Sequence, residues 1–419
     1  MRNILHAAMV AGVVSLFTGG AAGAAHDHGS TDSGKAPPSG FDACQTGTTD
    51  PSMRCSPVVT PAAGRDGRIW LAWVDGGHVY VNHSDDAGQS QSTPIRINAT
   101  PAALDINGEN RPKAIPAPNG DIYVSYTAKG ERKFTGVVWF SRSLDGGKSF
   151  SEPVRITDEA VSSSQRFETM RVDPEGRIYI AWLDKRDLFA AKQAKQPYIG
   201  SAIYYARSDD RGASFTANRP IFEHTCECCR VAMAMDDEGL PVIVWRNIFG
   251  ADTRDHAVVR FLNKDTPSAV TRLSDDEWHI EACPHHGPAM AIGPDGAYHV
   301  VWYTDGDNRN GLFHARSEDR GKSFSTPVGF GNPNRMPAHP DIAILGNRLF
   351  VAWKEFNGEQ SELYVMSSPD SGRSWSTPMR VAATDDESDH PLFVDDGQWL
   401  HLSWQTAAVG WLLQRIAGH

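Results

Sequence analysis

Five short segments of this chain repeat one pattern: "SDDAGQS" from Ser84, "SLDGGKSF" from Ser143, "SDDRGASF" from Ser208, "SEDRGKSF" from Ser317 and "SPDSGRSW" from Ser368. In each, Ser is followed by Asp two residues on, Gly two further and Ser two further, and four of the five then add an aromatic. Successive copies lie 59, 65, 109 and 51 residues apart. The longest gap spans about two periods, so a degenerate copy is expected near Asp265. A unit recurring at this period cannot bury its apolar face alone and must stack against copies of itself.

The chemistry of the repeated box is that of a turn. Asp86, Asp145, Asp210, Asp319 and Asp370 can accept hydrogen bonds from backbone N–H groups of their own turns, and the glycine supplies dihedrals other residues avoid. Repetition at five places argues for fastening rather than catalysis. Gln91 stands where the first copy should carry its aromatic, which predicts a looser turn there.

A second element recurs more often. "GRIWLAW", "GDIYVSY", "GRIYIAW", "GLPVIVW", "GAYHVVW", "NRLFVAW" and "GQWLHLSW" end at Trp73, Tyr126, Trp182, Trp245, Trp302, Trp353 and Trp404. Each follows a turn residue and is rich in β-branched and aromatic side chains, so each reads as a strand. Shorter strands precede them, and others follow and end at the box. The expected fold is all-β, a β-propeller of four-stranded blades, with seven blades the expected number and six the alternative. The last unit stops one strand short after "GWLLQRI". Residues between Phe41 and Met53 are expected to supply the missing edge strand and close the ring.

Boxes of the form S-x-D-x-G-x-[ST]-[WF] on such a scaffold resemble the bacterial neuraminidase repeat, or Asp-box, of the sialidase superfamily, over nearly all of residues 41–419. The resemblance implies one propeller domain and, in the enzymes of the family, a three-arginine carboxylate clamp, a tyrosine nucleophile assisted by a glutamate, and an aspartate acid/base. The family's first arginine sits in a Phe-Arg-Ile-Pro motif; here "MRCSP" places Cys55 and Ser56 between Arg54 and Pro57. Arg111, Arg166, Arg230 and Arg246 are the rim arginines that could bind a ligand. The resemblance also implies that linkers before the first strand of each blade share one rim, opposite the boxes.

That rim collects soft and imidazole donors. "HTCECC" precedes the first strand of the fourth blade, "CPHH" the fifth, "RMPAHP" the sixth and "SDHP" the seventh. Cys226, Cys228, Cys229, Cys283, His285, His286, His339 and His390 therefore occupy one slot in four consecutive blades and are candidate metal ligands. Thiolate with imidazole favours Cu(I) or Zn(II), with copper ahead of zinc. Met170, Met233, Met235, Met290 and Met336 lie on or just before first strands and could add thioether, although Met commonly fills irregular cores. A competing reading is structural: six cysteines in an exported chain invite disulfides, with Cys44 and Cys55 the expected pair.

Export is expected from the first 25 residues, where Arg2, an apolar run and an Ala-x-Ala site form a cleavable signal, and a polar linker is expected over residues 26–40. The destination would be the periplasm or the medium. The net charge of −11 opposes nucleic acid and anionic membrane surfaces as partners, and no later stretch is apolar enough to span a membrane. The expected partner is a metal ion or small ligand, with another periplasmic protein also open. Three functions follow: a propeller that handles a thiophilic metal, an exo-glycosidase of sialidase type, and a recognition propeller without chemistry.

Overall fold

The computed structural model describes residues 40–43, 50–158, 163–282 and 284–419. The expected signal, nearly all of the expected linker, and Cys44 and Cys283 lie outside them. Among the described residues no helix is long and apolar enough to cross a membrane.

Seven antiparallel sheets follow one another along the chain, so the fold is a seven-bladed β-propeller. The first strands of blades 1 to 7 are Val59–Ala63, Lys113–Pro116, Gln165–Val172, Ala232–Met235, Ala289–Ile292, Ala338–Leu345 and Leu392–Asp395. Each packs against the first strands of its neighbours, and blade 1 meets blade 7. They form a ring around a central channel. The second strands carry the apolar alternation read from the sequence, and Trp73, Trp182, Trp245, Trp302 and Trp353 are fully buried between blades. Their indole N–H groups are satisfied locally, by Asn82 at 3.0 Å, Asp184 at 2.8 Å, Asn247 at 3.0 Å, Asp276 at 2.8 Å and Glu355 at 2.9 Å. A buried indole needs such a partner.

The boxes behave as fasteners. In blade 2 the Ser143 hydroxyl donates to Asp145 and accepts the Gly147 N–H, both close to 2.8 Å, while Asp145 also accepts from the backbone and hydroxyl of Ser149 at 3.0 and 2.6 Å. Blade 1 keeps the same set of bonds around Asp86, so Gln91 does not loosen its turn. Near Asp265 no box forms. Asn263 accepts the Asp265 N–H at 2.9 Å, and the Asp265 carboxylate pairs with Arg207 at 2.6 Å.

The box glycine also joins blades. A Cβ on Gly147 would lie 2.1 Å from the Trp70 ring of blade 1, one on Gly212 2.6 Å from Phe140 of blade 2, and one on Gly372 2.4 Å from His314 of blade 5. Across the ring closure, Gly88 of blade 1 meets Leu413 and Trp411 of blade 7. Each glycine leaves the space in which a ring or apolar side chain of the preceding blade sits.

Closure differs from the expected edge strand. Blade 7 has three strands, and among the described residues ahead of blade 1 the chain forms a short helix, Gly40–Ala43, and a 3₁₀ turn, Met53–Cys55. Side chains make the join instead. The Gln405 amide donates to the carbonyls of Met53, Arg54 and Ser56 at 3.1, 3.1 and 2.8 Å, and the Arg54 guanidinium donates to the Ala408 carbonyl at 3.0 Å. Cys55 is disulfide-bonded.

Two outcomes are expected. Gly146 and Gly147 both have positive φ, 73° and 83°, but only Gly147 lies against Trp70. Gly146→Ala should cost about 1–2 kcal/mol from backbone strain, and Gly147→Ala roughly 1–3 kcal/mol more from overpacking; urea unfolding checks the difference. Second, burial pushes His299 down to about 4 and His314 to about 3, and the two rings share a hydrogen bond of 3.2 Å. Unfolding below the ordinary histidine value of 6.5 therefore takes up protons. Their stabilisation is present above that value and is lost as the pH falls toward 3. Thermal unfolding at stepped pH should fall less steeply in a His299→Asn/His314→Asn variant.

Candidate functional site

The segments ahead of the first strands meet at one mouth of the channel, and Glu109 of blade 2 is the hub. Its side chain is 2% exposed. One carboxylate oxygen accepts the backbone N–H of Arg230 at 3.0 Å and of Gly287 at 2.7 Å, from blades 4 and 5. The other accepts from Nδ1 of His339 in blade 6 at 3.3 Å and lies 3.6 Å from Nδ1 of His390 in blade 7. Burial opposes ionisation of Glu109, but the Arg230 guanidinium and His339 outweigh it and hold the carboxyl below its usual range. One anion thus ties five blades together.

The histidines stack beside it. His286 lies face to face with His339 at 4.6 Å, His339 with His390 at 3.4 Å, and Tyr303 covers the outer face of His286 at 4.3 Å. Burial pushes all three imidazoles down, His286 to about 3; neighbouring cations add to the effect, and Glu109 opposes it at His286 and His339. The shifts favour the neutral ring, which keeps one nitrogen lone pair. Nδ1 of His286 and Nδ1 of His390 have no hydrogen-bond partner among the described residues. The His390 ring rests directly on Gly108, where a Cβ would lie 2.3 Å from it.

The backbone is strained at this mouth. His339 has φ 52°, His285 φ 53° and Phe167 φ 59°. Such conformations cost about 1–3 kcal/mol each for side chains of this size and persist only where surrounding contacts enforce them. His285 itself is exposed, 6.5 Å from the Phe167 ring.

The cysteine loop sits alongside. Cys226, Cys228 and Cys229 are thiols, 1%, 3% and 2% exposed, and pack with Phe167, Val231 and Met233 between blades 3 and 4. The Cys226 sulfur lies 3.9 Å from those of Cys228 and Cys229, and Arg254 donates to it at 3.3 Å. Bonds from the two neighbouring thiols, with the charges of Arg246 and Arg254, pull Cys226 well below the ordinary thiol range, while burial pushes Cys229 up. Lys185 clamps the loop through Glu227 at 2.5 Å.

Donor atoms therefore gather in two groups among the described residues. The three sulfurs form one, and Glu109, His339 and His390 the other, each with its ligand atoms within 4.8 Å of one another. Sequence reading placed five of these six donors at the mouth by slot, but passed over Glu109, which stands two residues before Arg111 in the same slot of blade 2. Of the methionines, Met233 is buried against the cysteines and Met336 is 64% exposed.

The rim arginines are engaged in the scaffold. Arg111 forms a two-point pair with Asp389 at 2.6 and 3.0 Å, Arg166 pairs with Asp105, and Arg230 donates to the carbonyls of Pro288 and Pro340 at 2.9 and 2.5 Å. Arg246 donates to the carbonyls of Arg254, His286 and Tyr303 and lies under Trp278. Below the mouth a cavity of about 270 Å³ is lined by Glu109, Arg111, Lys113, Glu168, Arg171 and Asp341, among others.

No protein-family model matches the chain, and no curated protein matches it. Solved structures match in fold. A Dyadobacter fermentans protein of unknown function is 16% identical with a TM-score of 0.53, covering 75% of this chain and 98% of its own. A polysaccharide lyase family 25 ulvan lyase is 12% identical with a TM-score of 0.56, over 85% of this chain and 93% of its own. A Hadza microbial sialidase is 12% identical with a TM-score of 0.51, over 83% and 76%. The neighbours thus include carbohydrate-active propellers, and at these identities the likeness is one of fold.

Glu109→Ala should be among the most destabilising changes in the molecule. It strands two buried backbone N–H groups and the Arg230 charge, at a cost of about 3–5 kcal/mol. Denaturant unfolding measures it, and Glu109→Gln, which keeps an acceptor oxygen, should lose less.

Proposed function

We propose that this chain is an exported propeller that binds a transition metal at the mouth of its channel, as part of metal handling. Glu109, His339 and His390 are the ligands, with His286 stacked beside them. The observation that carries the reading is a buried carboxylate and two half-buried imidazoles with donor atoms within 4.8 Å of one another. Two imidazoles and one carboxylate make a borderline donor set that suits Cu(II) or Zn(II), copper the tighter by the general order of divalent affinities. A cation seated among the three would take the place of the His339 proton that bonds Glu109, and its charge would sit on a carboxylate already anionic. The strained backbone at His339 supports the same reading, because ligand positions are where such strain is retained. The glycosidase alternative has less support, since each rim arginine is occupied by the scaffold.

The experiment is calorimetric titration of the purified, chelator-treated protein with Cu(II) and Zn(II). One equivalent should bind, and a His339→Ala/His390→Ala variant should lose it. Gly108→Ala removes no ligand but fills the space under His390, and should weaken binding roughly tenfold to a hundredfold, as changes that misorient ligands do. Failure of the parent protein to bind either ion would end the proposal.

A further inference from the structure

We infer that Cys226, Cys228 and Cys229 form a second, separate metal site, a three-sulfur nest for a soft monovalent cation, Cu(I) in the first instance. The sulfurs are already gathered: Cys226 stands 3.9 Å from each of the other two, and all three lie within 4.8 Å of one another. A single ion between them needs only small side-chain movements. The loop geometry is enforced from outside. The Cys226 N–H donates to the Arg246 carbonyl at 3.0 Å, Lys185 holds Glu227, and Arg230 is held at three points directly after Cys229.

Charge and burial select the ion. Three thiolates around a monovalent cation leave two net negative charges in an interior that is at most 3% exposed at these residues. Two guanidiniums stand by to offset them: Arg254 at 3.3 Å from the Cys226 sulfur, and Arg246, whose side chain is buried in the adjoining strand. A divalent ion would leave one surplus positive charge there, which a buried site disfavours. Thiolate sulfur is a soft donor and suits Cu(I). The surroundings are Phe167, Val231 and Met233, apolar and poor in water. The nest and the imidazole–carboxylate group would then divide copper by oxidation state. That division rests on the preceding reading; the nest itself does not.

The test uses the full chain, held anaerobically with a non-thiol reductant, and a chromophoric Cu(I) chelator as competitor. The parent protein should take one equivalent of Cu(I) from the chelator, and copper X-ray absorption should show a shell of sulfur alone. Cys226→Ser should abolish this while leaving Cu(II) or Zn(II) binding by the imidazole group unchanged. Because a buried cysteine variant can misfold, Arg254→Gln provides a second arm: all sulfurs remain, and Cu(I) affinity should fall roughly tenfold to a hundredfold. A nitrogen shell around Cu(I), Cu(I) binding unaffected by Cys226→Ser, or Zn(II) displacing Cu(I) from the thiols would overturn the inference. Loss of divalent binding in His339→Ala/His390→Ala, with Cu(I) uptake intact, reports only on the imidazole site.

Discussion

The structure depends on the way each blade is seated on the next. A ring or apolar side chain from one blade rests on the box glycine of its successor, as Trp70 does on Gly147 and Phe140 on Gly212. The contact is repeated at the closure, where Trp411 and Leu413 of blade 7 meet Gly88 of blade 1. Dense packing of this sort tolerates little displacement. It fixes the angle between blades, and the accumulated angle decides whether the ring closes. Only a closed ring brings the five donor-bearing linkers to one opening.

At that opening the scaffold and the candidate site are the same atoms. Glu109 holds the Arg230 and Gly287 backbone in place and also presents a carboxylate to His339 and His390. Burying an anion is costly unless it is fully bonded, and here bonds from several blades meet that requirement. Burial opposes protonation of His339 and His390, and Glu109 favours it at His339. The mouth is thus held from several blades at once, by the backbone of blades 4 and 5 and the imidazole of blade 6.

Much of the architecture was legible in the chain because its signals are local. The box encodes a turn through residues two apart, and the strand pattern ending at each tryptophan encodes a blade. The shared slot ahead of each first strand followed from the repeat by counting. Other features were hidden for physical reasons. Glu109 sits beside ordinary loop residues in "GENRP", and nothing in that stretch shows that backbone groups from distant blades converge on its carboxylate. The closure by Gln405 was equally invisible, since a side-chain amide reaching three carbonyls more than 340 residues away leaves no local pattern. The expectation of an edge strand rested on the general cost of exposed edges, and side-chain bonds met part of that need instead.

The sequence by itself determined the repeat, a propeller of six or seven blades and the slot in which sulfur and imidazole would appear, because each is a matter of spacing along the chain. The tertiary structure decided which donors stand together. It separated the three thiols from the histidines, joined His339 and His390 to a glutamate no motif had marked, and engaged every rim arginine. Those outcomes depend on distances of a few ångströms between blades, and only the closed ring sets them.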